Sequence, residues 1–157
     1  MSHNPLIAGI LLLISSSQAF ADGGLISRQS KYTVQETIER FETAIKSKAQ
    51  GGWVIFSRID HAAAAKDAGL EMRPRTVIIF GNPKNGTLPM TRSATLAIDL
   101  PMKALVWQDD QSRVWLTYNS SEYNAKEIYP RHGLAVPDDA KTMLEKFLAD
   151  AVDRTTQ

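Results

Sequence analysis

Apolar positions along this chain change rhythm several times, and each change marks an element. Leu25 to Tyr32 reads as a first strand. Thr33-Val34-Gln35-Glu36 then has the T-x-x-E spacing of a capping box, where hydroxyl and carboxylate satisfy free backbone N–H groups at a helix start. The helix predicted from Val34 to about Lys48 carries Val34, Ile38, Phe41 and Ile45 at spacings of four, three and four, a single stripe facing a core. Gly51-Gly52 breaks it. Trp53 to Ile59 is a strand by its aromatic and β-branched content, and Asp60 caps a short helix through Ala62–Ala65 that Gly69 closes. Thr76 to Phe80 is continuously apolar after its first residue, as in a central strand covered on both faces.

Beyond a loop, Lys103 to Gln108 and Arg113 to Tyr118 form a hairpin across Asp109-Asp110-Gln111-Ser112. Ser121 is read as the cap of a short helix limited by Pro130, and a final helix starts near Pro137-Asp138-Asp139 with Met143, Leu144, Phe147, Leu148 and Ala151 on one face. The order is β, α, β, short α, β, loop, β, β, α. Two long helices do not readily cover both faces of a five-stranded sheet, yet the hairpin is apolar on both. A homodimer partner covers the second face in this reading; Trp115 under a loop of the same chain is the alternative.

The N-terminus bears on compartment. Leu6 to Ile14 is an apolar run too short to span a bilayer, followed by polar residues and then Ala19-Phe20-Ala21, an A-x-A cleavage pattern. Residues 1–21 therefore read as a signal peptide and residues 22–157 as a single exported domain, periplasmic or secreted, with no membrane segment after cleavage. The Met1-Ser2-His3-Asn4 region lacks Lys and Arg, which leaves an uncleaved anchor as the alternative.

The 157 residues contain no cysteine, which excludes disulfides, thiolate catalysis and zinc–thiolate or iron–sulfur sites. Eighteen Lys and Arg against 17 Asp and Glu give a net charge of +1 with no block of either sign, so no concentrated basic face for nucleic acid is expected.

Ile59-Asp60-His61-Ala62-Ala63, Phe80-Gly81-Asn82-Pro83-Lys84, Leu100-Pro101-Met102-Lys103 and the aromatic strand ending at Tyr118 resemble the domain-of-unknown-function 302 family, DUF302. The resemblance runs from about Trp53 to Tyr118 and more weakly through the flanking helices to His132-Gly133-Leu134. It implies an α+β fold of the TATA-box-binding-protein-like architecture: one antiparallel-rich sheet in β-α-β4-α order, long helices on one face, often dimeric. It implies no established activity, and fold likeness to a DNA-binding protein does not transfer its partner.

The candidate chemistry is sparse. His61 stands at a strand-to-helix junction, where an imidazole can act as acid, base or ligand, or simply bond a backbone carbonyl. Asp99 ends a neighbouring apolar stretch and is the carboxylate proposed to orient His61. Gly81-Asn82-Pro83 is first a turn, although such a turn also offers N–H groups to an anion. Lys84-Asn85-Gly86-Thr87 lacks the spacing of a phosphate loop, no G-x-S-x-G elbow occurs, and His61, His132, Met72, Met90 and Met102 lack metal-ligand spacing. No metal and no cofactor are expected. Two function classes remain: a binding or interaction module in which His61, Asn82, Asp99 and Tyr118 line a small-molecule pocket or dimer groove, and a cofactor-free enzyme using His61 with Asp99 for acid–base work.

Overall fold

The computed structural model describes residues 19–157. Its framework is one antiparallel sheet of six strands: β1 (Ala19–Asp22), β2 (Leu25–Ser30), β3 (Val54–Asp60), β4 (Arg75–Gly81), β5 (Met102–Gln108) and β6 (Val114–Asn119), in spatial order β1-β2-β6-β5-β4-β3. β5 and β6 are the expected hairpin, with Trp107 opposite Trp115. β1 is an edge strand beside the five that were expected, pairing Ala19 with Arg28 and Asp22 with Leu25. Most of the segment read as a leader lies outside the described residues; its last three, Ala19, Phe20 and Ala21, belong to β1.

Two long helices, α1 (Val34–Lys46) and α5 (Asp138–Thr156), lie on one face of the sheet. Alternation along the strands decides which residues meet them. Ile78 and Phe80 of β4, Ala104 and Val106 of β5, and Val114, Leu116 and Tyr118 of β6 point to the helices and are buried with Ile38, Phe41 and Ile45 of α1 and Leu148, Ala151 and Val152 of α5. Phe41 meets Phe80 edge-on at 5.2 Å between ring centroids, and Trp53 stacks on Phe147 at 3.6 Å. The capping box at Thr33 is formed in both directions: Thr33 N–H donates to Glu36 Oε2 and Glu36 N–H to Thr33 Oγ1.

Two short helices carry the chain between strands. Asp60 caps α2 (His61–Asp67) by accepting from the N–H groups of Ala62 and Ala63. The loop expected between β4 and β5 contains a helix, α3 (Pro83–Arg92), and a 3-10 turn over Ala94–Ile98, before a cis Leu100–Pro101 peptide. Gly86 and two prolines give α3 a weak helical pattern. Its start is nonetheless encoded: Asn82 accepts from Lys84 and Asn85 N–H, and Pro83 occupies the first helical position, where a missing N–H costs nothing. After β6, α4 (Ser121–Tyr123) widens into a π-helical turn over Asn124–Ile128 and ends in a 3-10 turn over Pro130–His132. Its cap is Ser120, one residue before the Ser121 expected, because Ser120 is the residue with extended backbone and its hydroxyl accepts from Tyr123 N–H.

Candidate functional site

β3 and β4 run antiparallel, with Asp60 opposite Thr76 and Val54 opposite Gly81, so the ends of β4 separate the candidates. His61 follows β3 and lies beyond the end of the sheet where β4 begins; Asn82 and Asp99 lie at the other end, where β4 finishes and β5 starts. The proposed His61–Asp99 pair does not form. Five residues of strand separate the two corners, about 17 Å at strand rise. His61 is exposed at the first position of α2.

Asn82 is buried and committed to structure. Its Oδ1 takes the two α3 N–H groups, and its Nδ2 donates to Gly51 O at 2.7 Å, tying α3 to the turn before β3. Gly52, at φ +90°, lies so close that a Cβ there would stand 2.9 Å from Asn82 Oδ1. Asn82 therefore reads as a cap and strut, with no amide atom turned to a ligand.

Asp99 has a histidine partner, but it is His132. Nε2 of His132 stands 2.6 Å from Asp99 Oδ2, and Nδ1 stands 2.8 Å from Thr95 Oγ1. The imidazole side chain is only 5% exposed. Arg131 Nε is 3.5 Å from the same carboxylate oxygen, and Lys103 Nζ donates to the carbonyls of Asp99 and Pro101. The His132 hydrogen bond, then the charges of Arg131, His132 and Lys103, hold the Asp99 carboxyl below the usual range against its partial desolvation. Fully buried Leu96 pins the 3-10 turn that carries Thr95 and leads to Asp99. Thirty-three residues separate the partners in sequence, and no local spacing joins them. The available signal was that His132 falls in the weakly matching His132-Gly133-Leu134 segment, in a turn closed by Gly133 at φ +71°.

Tyr118 lies toward the same end of the sheet as Asn82 and Asp99, on the helix-facing side of β6, opposite Ala104 of β5. It borders a cleft of about 390 Å³ between the start of β2, the end of β6 and α5, lined also by Gly24, Ile26, Ser120, Glu122 and Glu145. Burial pushes its phenol up. Glu122 bonds Lys126 and Lys141, which hold its carboxyl at about 2. Gly24, at φ +86°, has no room for a side chain, since a Cβ would stand 2.3 Å from the Tyr123 ring. A second cleft of about 440 Å³ runs between α1 and the end of α5, where the Arg40 guanidinium lies over the Tyr32 ring at 3.9 Å. Of the four candidates, Asn82, Asp99 and Tyr118 lie toward one end of the sheet, Tyr118 bordering the cleft at the start of β2, and His61 lies at the other end. Among the described residues no three His, Asp or Glu side chains are grouped as a metal site.

A six-stranded antiparallel sheet backed by two helices on one face, with a cleft at its end, defines a small α+β domain. The chain belongs to the DUF302 family, described as a domain of unknown function, which it matches over residues 26–151. A crystal structure of an uncharacterized conserved DUF302 protein from Bacillus stearothermophilus has the same fold, with a TM-score of 0.67 at 19% identity over 85% of this chain and 99% of that one. Two relatives named fluoride-specific ion channel FluC 1, from Brucella suis and Brucella abortus, are each 42% identical over 132 residues. The match takes in 84% of this chain but 49% and 46% of theirs, so the chain spans about half the length of these relatives. No helix among the described residues is long and apolar enough to cross a membrane.

Proposed function

We propose that this domain is an exported binding module that takes a small amine- or hydroxyl-bearing molecule in the cleft at Tyr118. The observation that carries the reading is that Tyr118 borders a cleft of small-molecule size, about 390 Å³. Ile26 and Leu148 give it an apolar floor, while Tyr118, Ser120 and the carboxylates of Glu122 and Glu145 are its polar groups. Glu145 brings a carboxylate to the cleft while Glu122 is paired with Lys126 and Lys141, so charge alone does not decide for or against the fluoride in the names of the Brucella relatives. Those relatives support a different point. Half of each resembles this domain, whose described residues hold no membrane-crossing helix, and so the channel named there is assigned to the other half, with the domain as an appended extramembrane module.

The same reading places a second copy against the uncovered face of the sheet. Export rests on the A-x-A pattern at Ala19-Phe20-Ala21.

An NMR fragment screen of residues 22–157, weighted to small amines and alcohols, tests the cleft. Shifts should gather at Gly23, Gly24 and Ser120, and Tyr118→Phe should weaken the best binder by roughly twofold to tenfold, the worth of one hydrogen bond. A screen in which no compound perturbs those three resonances overturns the reading.

A further inference from the structure

His132 and its two partners, Asp99 and Thr95, form a chain of three groups. A neutral imidazole has one N–H, and an ionised carboxylate only accepts, so contact with Asp99 Oδ2 at 2.6 Å assigns that proton to Nε2. Nδ1 then presents a lone pair to the Thr95 hydroxyl, 2.8 Å away. The ring is shielded, with its side chain 5% exposed, while Thr95 is exposed, so the hydroxyl reaches solvent. A clasp between two loops needs only the Asp99–His132 contact; the aligned hydroxyl on the other nitrogen is what that role leaves unexplained. Hydroxyl, imidazole and carboxylate in this order are the components of an activated nucleophile, recognised by geometry whatever the fold.

We propose that Thr95 is a nucleophile, with His132 as its general base and Asp99 as the positioning residue, and that this site hydrolyses small activated esters. The proposal is independent of binding at Tyr118. In the first half, Thr95 Oγ1 bonds the acyl carbon while its proton passes to His132 Nδ1. The ester C–O bond then breaks, and that proton leaves with the departing oxygen. In the second half, water gives a proton to Nδ1 and its oxygen bonds the acyl carbon. The Oγ1–acyl bond breaks, the proton returns to Oγ1, and the carboxylic acid is released. Asp99 fixes the ring and offsets the charge of the transient imidazolium. The Asp99 carboxyl, held below the usual carboxylate range, stays ionised for this at neutral pH. Ser93 Oγ, 3.3 Å from Thr95 Oγ1, is the neighbouring hydroxyl that the experiment must separate from it.

The probe is p-nitrophenyl acetate with the whole chain. Wild type should release p-nitrophenol and carry an acetyl group that peptide mapping places on Thr95. Thr95→Ala, an exposed change, should remove the adduct and lower the rate by about a hundredfold, the usual worth of positioned acid–base chemistry. Thr95→Ser should retain both. Asp99→Asn, whose amide can donate to Nε2, should slow acetylation, and nitrogen NMR should show the ring proton moved to Nδ1. Wild-type release no faster than that of Thr95→Ala, or acetyl groups only on Ser93 or lysines, would overturn the proposal.

Discussion

Trp115 Nε1 donates to Asp109 Oδ2 at 2.9 Å, so the indole one pair in from the hairpin turn is held by the carboxylate that builds that turn. Asp109 Oδ1 also accepts from the N–H groups of Gln111 and Arg113, and Arg113 Nε donates to Oδ2 at 2.7 Å. Arg113 in turn covers the Trp115 ring, which Trp107 flanks at 6.2 Å. Trp115 is only 3% exposed, although it points away from α1 and α5.

This arrangement sets an acid limit for the hairpin. Desolvation raises the Asp109 carboxyl, but the bonds from Trp115 and Arg113 outweigh it and bring it from 3.8 to about 2. A pKa depressed on folding contributes stability above the unfolded value, and the contribution is lost as pH falls through the folded one. Urea unfolding of wild type should therefore lose stability as pH falls from 3.8 toward 2. Asp109→Asn should be less stable at neutral pH and show a shallower acid loss; equal slopes for the two proteins would count against this account.

Asn82 gives a second prediction. Asn82→Ala removes the cap of α3 and leaves Gly51 O without its donor, and should cost about 1–2 kcal/mol in chemical denaturation. Asn82→Asp keeps an acceptor for Lys84 and Asn85 N–H but cannot donate to Gly51, so it should fall between alanine and wild type. If aspartate were as costly as alanine, the cap would contribute nothing.

The elements that the sequence revealed are those whose pattern is local. The four-three-four stripe of α1, the Thr33 box, the Asp60 cap and the β5–β6 hairpin need only a few neighbouring residues, and each is present. Helix α3 was missed because Gly86 and Pro89 dilute a pattern that Asn82-Pro83 starts correctly. The candidate site was less legible. Asp99 needed a histidine, and His61 was nearer to hand in strand-ending context; which end of the sheet each corner occupies depends on strand direction, and β3 and β4 send His61 and Asp99 to opposite ends. His132 reaches Asp99 from the 3-10 turn that follows a π-helical turn, a geometry that periodicity does not signal.

The remaining prediction concerns the face of the sheet that α1 and α5 leave uncovered. Val54, Ser57 and Ile59 of β3 project there, paired with Gly81, Ile79 and Val77 of β4. Phe56 sits in the irregularity between Ile55 and Ser57, and its ring approaches the position a Gly81 side chain would take, at 3.4 Å. Phe56 is 51% exposed, and Val54 and Ile59 are also exposed. β3 is moreover an edge strand, with one row of backbone groups unpaired within the sheet. A symmetric contact in which each copy buries the other's Phe56 would cover this apolar edge. Light scattering of the chain at micromolar concentration should report about twice the monomer mass. Phe56→Glu should return it to the monomer without unfolding it, because the side chain is half exposed and outside the core between sheet and helices. A wild-type protein that stays monomeric at those concentrations, or a Phe56→Glu variant that stays dimeric, rules out this face as the contact.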